Sequence, residues 1–183
     1  MLKIVVPACV EQYDEINNIF IPNTKQQVLS LEHSLVSVSK WESKWQKPYL
    51  SREQKTTEEF IDYVRCMTLT QNVDPNVYIA MTSMPDVLKQ VFDYTEQSMT
   101  ATTFSKKNRS HSREIITAEV IYYWMIYYGI PFECQKWHLS RLLTLIRVCS
   151  EMNSTPKKLS GRELAARNKA LNASRRQKMN SRG

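Results

Sequence analysis

Glycine is almost missing from this chain of 183 residues: Gly129, Gly161 and Gly183 are its three, far from one another. A phosphate-cradling loop needs two or three glycines close together, so a P-loop or a dinucleotide fingerprint is excluded. Cysteine is also sparse. Cys9, Cys66, Cys134 and Cys149 stand without paired spacing, and reduced thiols in a cytoplasm are the expectation. The start, Met1-Leu2-Lys3-Ile4-Val5-Val6-Pro7, lacks the long apolar core of a secretory leader, so none is expected. The longest apolar run, Val120 to Phe132, falls short of the roughly 20 residues that cross a bilayer, and its tyrosines would sit poorly in lipid. No membrane association is therefore expected.

Acidic residues are what the end of the chain lacks. From Glu151 onward nine basic side chains face two acidic ones, which accounts for the whole formal charge of +7. The residues before them balance at sixteen of each sign. A neutral body thus carries a cationic arm, built from Arg162, Arg167, Lys169, Arg175, Arg176 and Lys178 among others. Such an arm binds nucleic acid, an acidic protein surface or anionic lipid, or stays a solvated end.

What the chain does hold is helical periodicity. The stretch Glu114 to Cys149 reads as two helices around the corner Gly129-Ile130-Pro131-Phe132. Ile116, Val120, Tyr123, Trp124 and Tyr127 make one stripe, and Leu139, Leu142, Leu143, Ile146 and Cys149 the other. Gly129 and Pro131 are the stop signal between them. This pair is the expected core of the second half. Earlier, residues 2 to 6 and 16 to 22 read as strands of a small sheet that leans on a helix, and Asn23-Thr24-Lys25 as a turn. Leu31, Leu35, Val38, Trp41 and Trp45 predict an amphipathic helix capped by Ser30, with Glu32, Ser39, Lys40 and Glu42 on its wet side. Thr56 and Glu59 spell a capping box before Phe60, Ile61, Val64 and Met67. Asp74-Pro75 starts a short helix with Val77 and Met81 inward, although Val77-Tyr78-Ile79 also suits a strand. Ser83-Met84-Pro85 opens another, carrying Val87, Leu88, Val91 and Phe92. Met99 to Phe104 suits an edge strand, and Lys106 to Arg113 an exposed basic loop. After a hinge from Asn153 to Leu159, Ser160 and Glu163 form a second capping box. A helix from Gly161 to about Ser174 follows, with a thin stripe of Leu164 and Leu171, and a disordered end from Arg175.

These readings add up to a mainly α (α+β) fold. A small N-terminal β element covers residues 1–28, a helical core domain 29–152, and a basic C-terminal helix and tail 153–183.

Catalytic patterns are not found. Cys134 and His138, four apart, offer two metal ligands on one helical face, but a structural zinc needs two more, and His33 and His111 lie in unrelated segments. A Cys-His nucleophile pair lacks an orienting acid and an oxyanion site. The carboxylate neighbours Glu58-Glu59 and Asp14-Glu15 suit helix starts and turns better than acid–base work. Tyr122-Tyr123 and Tyr127-Tyr128 fall partly on the outer face of their helix. No catalytic residue, metal or cofactor is assigned, and the expected class is a binding or assembly protein rather than an enzyme. Trp137 and the six basic arm residues named above are the candidate partner contacts.

The chain from about Leu29 resembles the tail assembly chaperones encoded in the tail-gene region of long-tailed bacteriophages. The likeness is carried by Leu31-Glu32-His33-Ser34-Leu35-Val36 through Trp41-Glu42-Ser43-Lys44-Trp45, and by Met99-Thr100-Ala101-Thr102-Thr103-Phe104. It continues through Ile130 to His138, Arg141 to Cys149, and Arg167-Asn168-Lys169-Ala170-Leu171-Asn172. The resemblance implies a small, mostly helical, non-enzymatic factor in the host cytoplasm. It would bind the tape-measure protein and bring tail-tube subunits to it, self-associate, and leave before the tail matures. Many such factors also have a longer, frameshifted form. The alternatives are a permanent virion component (a connector, completion or tail protein) and a nucleic-acid-binding accessory protein that uses the basic tail.

Overall fold

The computed structural model describes residues 1–16, 18–104, 115–153 and 161–179. Among these, seven α-helices and two small two-stranded sheets give a mainly α fold with a minor β element. Two compact units divide the chain, Met1–Ser150 and Glu151–Gly183.

In the first unit, β1 (Leu2–Val6) pairs antiparallel with β4 (Gln27–Leu31), Leu2 opposite Leu31 and Val6 opposite Gln27. The two-residue alternation of a strand decides which side chains are inside. Ile4, Val6, Leu29 and Leu31 are buried while Val5 and Val28 face out. The second ribbon, β2 (Gln12–Asp14) with β3 (Ile19–Ile21), places Ile21 against Cys9 and Ala80. The strand expected over 16–22 is thus shorter, and Ile16 stands exposed in its turn. The polar run before it supplies the partner strand.

Helix α1 (Leu35–Trp45) is the hub. It lies against α2 (Thr57–Met67), α5 (Ala118–Tyr127) and a 3-10 turn at Phe132–Lys136. Leu35, Val38 and Trp41 are buried on it, each contributing roughly 1.5–3 kcal/mol by leaving water. Its start differs from the expectation. Leu31 belongs to β4, and Ser34, not Ser30, is the N-cap, accepting from the Ser37 N–H in a capping box. Backbone bonds explain the later start. Ser30 O accepts from Leu69 N (2.8 Å), and Glu32 N donates to Met67 O (3.0 Å), so the strand is held on its second side by the end of α2.

The remaining helices follow local signals. Thr56 and Glu59 form the expected capping box of α2. Asp74 caps α3 (Pro75–Ala80), with proline in its first turn and Val77 inside, which settles helix over strand. A 3-10 turn leads to α4 (Pro85–Thr95), which buries Val87, Val91 and Tyr94. Phe92, expected inside, is 55% exposed beside Phe60. Met99–Phe104 is not a strand: the segment is irregular, and Phe104 lies under the Arg147 guanidinium at 3.7 Å. Helix α6 (Leu139–Asn153) buries Leu139, Leu142 and Ile146, as its stripe predicts.

In the second unit, α7 runs from Gly161 to Met179, five residues beyond the expected end. Arg175, Arg176, Lys178 and Met179 are good helix formers, so the helix continues through a segment read as disordered. The basic loop Lys106–Arg113, His111, most of the hinge and Ser160 of the second capping box lie outside the described residues.

Candidate protein-interaction surface

The α5 helix is apolar almost all round, so its periodicity cannot say which side faces in. Ala118, Ile121 and Met125 are buried. That rotates the helix away from the expected stripe and turns two of its tyrosines outward. Tyr123 (61%), Ile126 (64%) and Tyr127 (68%) are exposed, and Phe132 (51%) joins them from the following turn. Tyr123 and Tyr127, one turn apart, stack at 6.2 Å; Tyr128 meets Tyr127 edge-on at 5.0 Å; Tyr122 lies 6.4 Å from Phe132.

The corner after α5 is what returns the chain to this ridge. Gly129 takes φ 63, which needs no Cβ there. The Ile130 N–H donates to Met125 O (2.8 Å) and the Gly129 N–H to Ile126 O (3.1 Å), the two bonds of a Schellman stop. Ile130 is buried beyond it, Pro131 prevents continuation, and the 3-10 turn sets Phe132 beside Tyr122. The Tyr122 hydroxyl donates to Gln135 Oε1 (2.9 Å), fixing ridge to turn. Burial, then the Glu119 carboxylate, pushes the Tyr122 phenol up, so it stays a neutral donor. Large aromatics with few rotamers and a wet edge are what protein interfaces concentrate.

The far end of α5 is held by a group the sequence placed in water. Glu42, expected on the wet side of α1, is buried. Its carboxylate accepts from the backbone N–H of Ala118 (2.7 Å) and of Tyr49 (2.7 Å). Thr117 makes no side-chain cap of its own, so an acid from α1 caps the first turn of α5. No local signal reveals this.

The expected contact residues fall in both units. Trp137 is half-buried, with the Arg141 guanidinium 4.1 Å above its ring, so one of its faces is already covered. Arg162, Arg167, Lys169, Arg175, Arg176 and Lys178 are all exposed on α7.

Two polar clusters lie elsewhere. Sequence distance hid the first: His33 and His138 meet at 5.0 Å, ring edge to face. The junction is made by Leu139 N donating to His33 O (2.7 Å). His33 Nδ1 bonds the Tyr63 hydroxyl at 2.5 Å, and Tyr49 stacks on Tyr63 at 4.0 Å. His138 Nε2 lies 3.2 Å from the Tyr94 carbonyl, which only accepts, so Nε2 carries the proton and the buried Nδ1 has no hydrogen-bond partner among the described residues. Burial, and then His138, pushes His33 down to about 3; burial lowers His138 as well. Both rings are neutral near pH 7, and Tyr63 is held well above its usual range by burial. Cys134 lies in the 3-10 turn and His138 beyond it, so the two do not share a helical face. Among the described residues no group of three or more His, Cys, Asp or Glu is placed to hold a metal.

The second cluster walls a groove of about 440 Å³ beside Trp45, Ile61, Tyr78 and Phe20. Asp62 stands at its edge, bonded to Lys44 Nζ (2.5 Å) and Trp45 Nε1 (2.9 Å). Burial works against the Asp62 carboxylate, yet these two donors outweigh it and hold its pKa below the usual range. Glu58 and Arg65 also line the groove, with the Arg65 guanidinium 5.0 Å over the Tyr78 ring.

Among the described residues, no helix is long and apolar enough to cross a membrane. Comparison with protein-family models, with curated proteins and with solved structures finds no match to this chain.

Proposed function

We propose that the chain is a non-enzymatic assembly factor, a tail assembly chaperone of a long-tailed bacteriophage. In this reading it binds tape-measure and tail-tube proteins in the host cytoplasm during tail morphogenesis. The observation that carries the proposal is the ridge of Tyr123, Ile126, Tyr127 and Phe132, an aromatic surface left open on a helix whose other side is packed against α1. The resemblance read in the sequence from Leu29 onward motivates this reading, and the mainly helical fold is compatible with it.

Co-expression with the tape-measure protein encoded beside it, followed by pull-down, tests the proposal. Co-purification is expected, with the double variant Tyr123→Ala/Tyr127→Ala retaining its fold and losing most of the captured partner. A tape measure that is soluble alone and never co-purifies overturns it. Mass spectrometry of finished particles then separates a chaperone, which is absent, from a permanent virion component.

A further inference from the structure

Three of the six cations of α7 share one line, while Arg167, Arg175 and Lys178 lie on the other side of the helix. Arg162, Lys169 and Arg176 recur every seven residues. Seven residues fall about 20° short of two full turns, so these three side chains form one nearly straight line along the helix. Successive members are about 10.5 Å apart at 1.5 Å per residue. Beside that line, Ala166, Ala170, Ala173 and Gln177 follow the four-three-four spacing of a coiled-coil seam. In that register the line occupies the g positions, and Arg167 and Ser174 fill the facing e positions. Glu163, the only acid in the helix, takes the a position one heptad before Ala170, so the seam is polar at both ends and alanine in its middle.

We propose that α7 is a docking helix for an acidic α-helix of another protein, one that carries Asp or Glu at seven-residue intervals beside its own apolar seam. Charges flanking a seam select partners. Two copies of α7 would set cation against cation, so the pairing is with a different chain. Small seam residues let two backbones approach until the long cationic side chains of one helix span to carboxylates of the other. A nucleic acid is the weaker fit. Its phosphates recur about every 1.7 Å of duplex and demand no seven-residue order. The helix also lacks the aromatics on which single-stranded bases stack. A lipid surface calls for a broad apolar face, and the described helix offers Leu164 and Leu171. The inference concerns the arm alone and does not rest on the proposed role in tail assembly.

The test uses the full chain and a labelled synthetic helix with alanine and leucine in its seam and glutamate at every e and g position. Controls are the same peptide with lysine in place of glutamate, a 30-base-pair duplex and anionic vesicles. Fluorescence anisotropy at physiological salt should show binding to the acidic peptide and none to the basic one. Lys169→Glu/Arg176→Glu should weaken that binding about 30-fold. Arg175→Glu/Lys178→Glu makes the same change in net charge off the line and should weaken it less than about 3-fold. Circular dichroism of both variants checks that the helix content is kept. Equal losses in the two variants, tighter binding to the duplex or the vesicles than to the acidic peptide, or no binding to the acidic peptide at all would each overturn the proposal. The ridge on α5 is intact in every one of these proteins, so the outcome is read separately from that of the tape-measure pull-down.

Discussion

At the scale of single residues, the first unit is held by polar side chains whose partners come from distant parts of the chain. Glu42 takes two backbone N–H groups, one of them 76 positions away. Glu42→Gln keeps the shape but turns an amide NH2 toward one of those donors. A loss of about 2–3 kcal/mol is expected, because a buried donor is left facing a donor. Urea unfolding of the variant checks it: an unchanged midpoint would show the carboxylate to be dispensable.

The histidine pair has a signed consequence for pH. Folded His33 resists protonation down to about 3, whereas in the unfolded chain it takes a proton near 6.5. Below that value the unfolded state binds more protons, so stability is complete above about pH 6.5 and falls as pH drops toward 3. His138 is lowered too and acts in the same direction. The expected loss from His33 between pH 7.5 and 5 is about 2 kcal/mol. His33→Gln should start less stable yet show a flatter pH dependence in urea midpoints measured across that interval.

At the scale of elements, signals that span one turn were legible and those that span the fold were not. The Thr56–Glu59 box, Asp74-Pro75 and the Gly129-Pro131 stop each act over a few neighbouring residues, and each ends or begins a helix where its chemistry says. The start of α1 misled because Leu31 fits both a four-three-three-four helical stripe and the alternation of β4; Leu2 and Leu69 decide between them. The orientation of α5 was hidden for a different reason. A helix apolar on every side has no face to read, so Ala118, Ile121 and Met125 go inward by fit to α1, and the ridge appears only in three dimensions. His33 and His138 met for the same non-local reason. Gly129 gives the test at this scale. An added Cβ would touch nothing within 4 Å, so Gly129→Ala isolates the cost of the left-handed backbone. A loss of about 1–2 kcal/mol is expected, read from thermal unfolding.

At the scale of the whole molecule, the division of labour follows charge. The buried apolar cluster lies entirely within Met1–Ser150. Ending the chain after Asn153 removes nine basic side chains and one acid, taking the formal charge from +7 to −1. That truncated protein should unfold within about 2 °C of the full chain, since surface changes away from the core seldom exceed half a kcal/mol. It should also lose any affinity that the arm supplies. A drop in melting temperature of 10 °C or more would show that the arm contributes to the stability of the body. The mainly helical class and the basic arm were visible in composition and periodicity alone. The antiparallel pairing of β1 with β4 was not, because strand partners are chosen by contact rather than by local pattern.

The cap that Glu42 places on α5 also sets an order of events on the ribosome. When α1 emerges, its acid has no Ala118 to hold, and His33 has no His138 beside it. The opening part of the nascent chain can pair β1 with β4 and give Glu42 its Tyr49 partner. The second partner of that carboxylate arrives only when Ala118 has left the exit tunnel, and the histidine pair closes later still.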